Sequence, residues 1–309
     1  MMGAMEDTRF RAMGSDCHVI VTGELADGRD PVVVARQRIA ELESRWSRFI
    51  PTSEVCELTR RAGHWVDVSG DTELLVRRSI EAWRLTGASY DPTVLGDVLR
   101  AGYDRSYSDV VAAPAVVASD LFLGCADIEV RDGQVRLPAA VGFDAGGIGK
   151  GLAADLVTDE LMAAGVTGVC VNLGGDLRVA GESPTGPWVV GIAPGADGSD
   201  SGLMTTVMLA TGAVATSTTL RRRWSIDGDE RHHLIDPATG LPADTGLVSV
   251  SVIAATAWEA EVLAKAVLLR GPEHPFDLLG GTGVEAVCVG RDGTVQATPG
   301  FGRFSEGWS

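Results

Sequence analysis

Apolar and polar residues alternate in short runs along this chain, and longer stretches with helical spacing separate them. Cys17 to Thr22 alternates as a strand does. Val32 to Phe49 predicts a helix, with Val33, Ile39, Leu42 and Trp46 as its core positions. Thr72 to Leu85 predicts a second helix, ended by Gly87. Ile128 to Val130 and Gln134 to Leu137 flank Asp132-Gly133, a pair that favours a two-residue hairpin turn. A helix over Lys150 to Ala164 leads to a buried strand, Val166 to Leu173. Strands are expected at Trp188 to Ala193 and Met204 to Leu209, around a polar loop, and at Ala213 to Ser217 and Val248 to Ala254. Trp258 to Leu269 predicts a last helix, and Val284 to Val289 the strand that closes the sheet. Ser106 to Leu123, rich in Ala and Val, fits neither period. Helices mixed with hairpin-like neighbours predict an α+β fold rather than a doubly wound parallel sheet. With 309 residues and no internal repeat, one domain of two intimately joined lobes, spanning 1–309, is expected.

Charge narrows the choice of partner. A net charge of −16 argues against nucleic acid and anionic membrane surfaces. No run of eighteen apolar residues occurs, so no membrane span is expected. Met1 to Asp7 lacks the basic start and apolar stretch of a secretory signal, which reads as cytoplasmic. Five cysteines, singly spaced with no C-x-x-C pair, read as reduced thiols rather than disulfides or a zinc site.

Candidate chemistry concentrates at Phe143 to Gly151. Four glycines, Asp144 and Lys150 stand at the mouth of a predicted helix. Glycine lets backbone approach a ligand, and helix-start amides favour an anion. A P-loop would need Gly at 144 and Ser or Thr at 151, so this is not one. The loose Gly149-x-Gly151-x-x-Ala154 pattern arises readily by chance among 39 glycines, and a tight strand-to-helix turn without ligand is the lesser alternative for the loop. Asn172, Gly174 and Gly175, at a strand end before Asp176, form either a hairpin turn or a ligand-facing loop. Thr216 and Ser217 offer hydroxyls to a phosphate or ribose, ahead of Arg221 to Arg223, a run that reads as a solvated face. His233, beside the rigid Asp236-Pro237 to Pro242 turn, is the general-base candidate. His18, His64 and His274 read as structural. Tyr90, within Ser89-Tyr90-Asp91-Pro92, either stacks on a flat ring or packs in the core.

In their order along the chain these segments resemble the ApbE family, the FAD:protein FMN transferases. The resemblance rests on Met13-Gly14-Ser15, Arg48-Phe49 with Ser53-Glu54, Gly87 to Thr93, Asp144 to Gly151, Asn172 to Asp176, Trp188 to Pro194, Ala215-Thr216-Ser217 and His233 to Pro242. It implies an α+β fold with an FAD cleft between two lobes. It also implies cleavage of the FAD pyrophosphate, attachment of FMN to a Ser or Thr of an acceptor flavoprotein, and release of AMP. On that resemblance, Met13 and Ser89, Tyr90 and Asp91 line the adenosine or flavin part. Asp144 and Lys150 stand at ribose and pyrophosphate, and Thr216 and Ser217 face the phosphates. Asn172, Gly174 and Gly175 join the FAD-binding set, Ile235 walls the flavin pocket, and His233 deprotonates the acceptor hydroxyl. An FAD-binding homologue without transfer, and an FAD pyrophosphatase, stay open as alternatives.

One departure concerns magnesium. The family pattern supplies a glycine-loop carbonyl, Gly147 here, with an Asp and a Thr four residues later. Here Glu261 and Lys265 occupy the last two places. Glu261 can ligate a hard cation, whereas a protonated Lys265 has no lone pair to give. The two residues form either an ordinary i, i+4 surface pair or a catalytic arrangement with the Lys265 ammonium standing in for the metal. Magnesium, with Gly147 and Glu261 as its ligands, is therefore a doubtful expectation.

Overall fold

The computed structural model describes residues 5–103, 124–193, 204–226 and 229–305. Ser106 to Leu123 and the acidic loop from Gly195 to Gly202 lie outside them. Met5–Ala12 (β1) and Ser15–Thr22 (β2) meet through Met13 and Gly14, whose φ values of 50° and 65° suit a type I′ turn. Pro31–Trp46 (α1) starts where Asp30 accepts from the Val32 and Val33 amides. It stops short of the expected Phe49 because Ser47 is extended. Glu54–Arg60 (α2) and Val66–Asp67 (β3) precede Gly70–Leu85 (α3), capped by Ser69, and Leu95–Arg100 (α4). Glu129–Arg131 (β4) and Gln134–Arg136 (β5) turn at Asp132-Gly133 as expected.

Gly149–Ala163 (α5) runs into Gly168–Leu173 (β6), which doubles back as Asp176–Gly181 (β7). Trp188–Ile192 (β8) pairs with Thr205–Leu209 (β9), and Gly212–Thr218 (β10) follows. Two small hairpins come next, Arg223–Ile226 (β11) with Asp229–His232 (β12), and Ile235–Asp236 (β13) with Leu241–Pro242 (β14). Leu247–Ala254 (β15), Ala257–Arg270 (α6), Glu285–Gly290 (β16) and Val295–Ala297 (β17) complete the chain.

The main sheet has the order β1-β2-β6-β7-β10-β15-β16-β17, and each neighbouring pair is antiparallel. The α+β expectation therefore holds, but β17 rather than the Val284 to Val289 segment forms the edge. β8 and β9 form a separate two-stranded sheet. Their Val190, Ile192 and Val207 pack with Leu177, Val179, Val214 and Ile253, so they cover one face of the main sheet. The larger core gathers Ile39 and Leu42 of α1, Leu152 and Val157 of α5, and Val262, Leu263 and Val267 of α6. No described helix is long and apolar enough to cross a membrane.

The crossing of α5 and α6 positions everything that follows. Asp155 on α5 accepts from the Ala257 and Trp258 amides at 2.8 and 2.9 Å and so caps α6 from outside. Burial pushes the Asp155 carboxyl up to about 6. One turn earlier, a Cβ added at Gly151 would lie 2.6 Å from Ala257 C and 2.7 Å from Trp258 N. Those are backbone atoms of the capped turn and cannot swing away. Gly151→Ala should therefore destabilise the fold by about 1–3 kcal/mol, the usual range for overpacking, read as a lower urea midpoint. An unchanged midpoint would show that the helices are free to separate.

Candidate active site

Two loops form one wall of the site. Asp144 Oδ1 accepts from the Gly146 amide at 2.9 Å, and the Asp144 amide donates to Pro92 O at 2.8 Å. That second bond ties the glycine loop to the segment Ser89 to Thr93. Asp91 is buried and accepts from the Thr93 amide at 2.7 Å and from its hydroxyl, so it shapes its own loop. Tyr90 is buried and its hydroxyl donates to Ser79 Oγ at 3.4 Å. It thus packs in the core while also lining the cavity, and burial pushes its phenol well above the ordinary value. Nearby, Arg48 lies 3.8 Å from Asp144, over the rings of Phe49 and Tyr103 at 4.3 and 4.6 Å.

Behind this wall sits a buried knot of charge. Lys150 Nζ meets Asp176 Oδ2 and, at 2.9 Å, Glu261 Oε1. The other Glu261 oxygen accepts from the Gly151 amide at 2.8 Å. Glu261 is 4% exposed. Burial opposes charge on Lys150, but Asp176 and Glu261 hold its ammonium above the ordinary lysine value. The helix start is therefore capped by a carboxylate of the chain, whereas the sequence suggested an amide nest open to phosphate.

Lys265 leaves the helix one turn after Glu261 but forms no pair with it. Its Nζ stands over Gly147, where an added Cβ would collide with it and lie 2.9 Å from Tyr90 Cε2. The ammonium is 5.8 Å from the Tyr90 ring centroid. Burial pulls the Lys265 amine down from its ordinary value. The i, i+4 surface pair is thus absent: Glu261 is buried and engaged by Lys150.

The two adjacent histidines have different environments. His232 pairs through Nε2 with Ala243 O at 2.9 Å and accepts at Nδ1 from the Leu234 amide at 3.3 Å. Both of its nitrogens serve the turn. His233 Nδ1 is buried and without a hydrogen-bond partner among the described residues. Burial, then the Arg222 and Lys265 cations, hold the His233 ring well below the usual histidine value, so it is neutral at pH 7.

These groups meet at a waist between two chambers. The larger, about 1380 Å³, is lined by Asn172, Gly174, Gly175, Thr216, Ser217 and Glu261. The smaller, about 400 Å³, is lined by Met13, Ser89, Tyr90, Asp91, Asp144, Gly147 and Ile235. Lys150, Arg222, His233 and Lys265 line both. Every residue singled out from sequence therefore reaches one chamber or the other. Within them, Thr216 Oγ1 shares a hydrogen bond with Ser251 Oγ at 2.8 Å, and Asn172 Oδ1 accepts from the Gly175 amide at 2.9 Å. The Met13 amide donates to Glu43 at 2.7 Å, and Ile235 packs with Val98, Ala101 and Tyr103.

Sequence reasoning named Arg48 and Asp176 within motifs but gave neither a role in the site, and it missed the Tyr103–Trp224 contact at 5.5 Å beside the smaller chamber. It also assigned Arg222 to a solvated face. Arg222 reaches the waist instead, from a left-handed backbone with φ 51°. Nothing in three consecutive arginines separates it; in the structure Arg221 and Arg223 are exposed and Arg222 is half-buried.

The residues present do not fit a magnesium ion. Both Glu261 oxygens are engaged by Lys150 and the Gly151 amide, and Lys265 offers no lone pair. No group of three or more His, Cys, Asp or Glu suited to a metal exists among the described residues.

An antiparallel α+β fold with one long cleft, aromatic at one end and cationic at its waist, defines the class. The family model described as ApbE family matches residues 13–288, and the chain belongs to that family. An FAD:protein FMN transferase of Rhodobacter capsulatus is 29% identical over 89% of this chain and 53% of its own. That of Escherichia coli (strain K12) is 31% identical over 47% of this chain and 42% of its own. The chain thus spans about half the length of these curated relatives. The crystal structure of an ApbE protein from Thermotoga maritima superposes with a TM-score of 0.86 at 25% identity, covering 98% of this chain and 100% of that one.

The charge arrangement at the waist predicts a titration. Lys265→Met removes one of the cations that depress His233. The His233 midpoint, followed by NMR, should rise towards the ordinary value near 6.5. An unmoved midpoint would mean that burial and the other cations set it without Lys265.

Proposed function

We propose that this chain is an FAD:protein FMN transferase, acting as a single two-lobed domain. One flat ring of FAD occupies each chamber, and the diphosphate crosses the waist. A hydroxyl of an acceptor protein Ser or Thr attacks the phosphorus of the FMN half. The bond from that phosphorus to the bridging oxygen breaks, and AMP leaves with the oxygen. His233 takes the hydroxyl proton and passes it to the departing phosphate or to water. Phosphoryl transfer asks little else of a protein than positioning and neutralisation of charge. The observation that carries this reading is the His233 ring, held neutral and lining both chambers beside Lys150, Arg222 and Lys265. The family membership and the relatives' shared activity support it.

The test incubates the protein with FAD and a Ser/Thr-bearing acceptor, then reads FMN on the acceptor by intact-mass spectrometry and AMP by chromatography. FMN-labelled acceptor with equimolar AMP is expected. His233→Ala should slow labelling by about 10²–10⁴-fold, the usual contribution of a general base, while FAD affinity is retained. AMP without labelled acceptor would make the protein a pyrophosphatase. FAD held without AMP would make it a flavin-binding protein.

A further inference from the structure

Two lysines reach the waist, and their surroundings differ. Lys150 is engaged on both sides by Asp176 and Glu261. Lys265 has no carboxylate within ion-pair distance among the described residues and stands over the bare backbone of Gly147. Gly147 has no side chain to exclude it. Across the waist Arg222 holds a left-handed backbone, a conformation that non-glycine residues adopt mainly where surrounding structure or a ligand demands it. Among the described residues its guanidinium makes one long contact, 3.5 Å from Gly14 O. An arginine fork so placed matches the oxygens of a phosphate.

A divalent ion on Glu261 Oε1 would compete with the Lys150 ammonium, 2.9 Å from that oxygen, and one on Oε2 would compete with the Gly151 amide at 2.8 Å. On Oε1, two cations would crowd one buried carboxylate oxygen. Lys265 and Arg222 together carry the same double positive charge as the ion they would replace.

We propose that the diphosphate of the bound dinucleotide is neutralised by Lys265 and Arg222, with no divalent ion, and that Lys150 is a structural counter-ion. The inference rests on the flavin reading above. A bound diphosphate adds negative charge beside Lys265 and favours its ammonium form.

The test titrates the whole protein, freed of metal by chelator dialysis, with FAD and follows flavin fluorescence. Equal FAD affinity in chelator and in excess Mg²⁺ is expected. Lys265→Met and Arg222→Met should each weaken FAD by about tenfold or more, since a charge-assisted hydrogen bond is lost. Riboflavin, which has no phosphate, should bind all three proteins alike, a result that a merely structural role would not give. FAD binding that requires Mg²⁺ would overturn this inference and leave the flavin reading standing. So would variants that bind FAD as tightly as the parent. The wild-type comparison with and without Mg²⁺ decides the matter even if a variant does not fold. No FAD binding under either condition would overturn the flavin reading, and this inference with it.

Discussion

The structure depends on one carboxylate. Glu261 bonds to the Gly151 amide with one oxygen and to Lys150 with the other. It therefore joins the start of α5 to the first turns of α6, close to where Asp155 caps α6 from the opposite direction. The glycine loop, the strand end at Asp176 and the base of Lys265 are all fixed relative to that joint. Because Glu261 is buried, removing its partners leaves an uncompensated buried charge, a penalty larger than the pair's own net contribution.

The joint also changes what the glycine-rich loop is for. From sequence, free amides and a lysine at a helix start suggest direct phosphate binding. In the fold, those donors already serve Glu261. Gly151 is glycine because the Ala257–Trp258 backbone crosses within 2.7 Å of where its Cβ would be. Gly147 is glycine because the Lys265 ammonium needs the space. On the proposal made above, anion binding passes from the loop to the side chains that face it.

Much of this was legible in the sequence, unevenly. Long periodic segments, such as α1, α3, α5 and α6, announced themselves because an amphipathic or wholly buried helix repeats its pattern over several turns. The seven-residue α2 and the edge strand β1 did not, because a short element with one exposed side carries few apolar positions. The candidate site residues were singled out by their order along the chain, and each of them lines a chamber. Their partners were not. Nothing in the spacing of Glu261 and Lys265 tells that one turns towards Lys150 and the other towards Gly147, since that depends on where α5 crosses. Arg222 was hidden inside a run of three arginines, and its place at the waist is visible only in the fold.

The central claim is that the waist neutralises a diphosphate with side chains of the protein. The most direct measurement is a crystal structure with FAD bound, grown in manganese, with anomalous density collected at the metal's absorption edge. The account predicts the diphosphate between Lys265 and Arg222, Lys150 still on Asp176 and Glu261, and no anomalous peak at the waist. A manganese peak on Glu261, with Lys150 or Lys265 turned away, would contradict it.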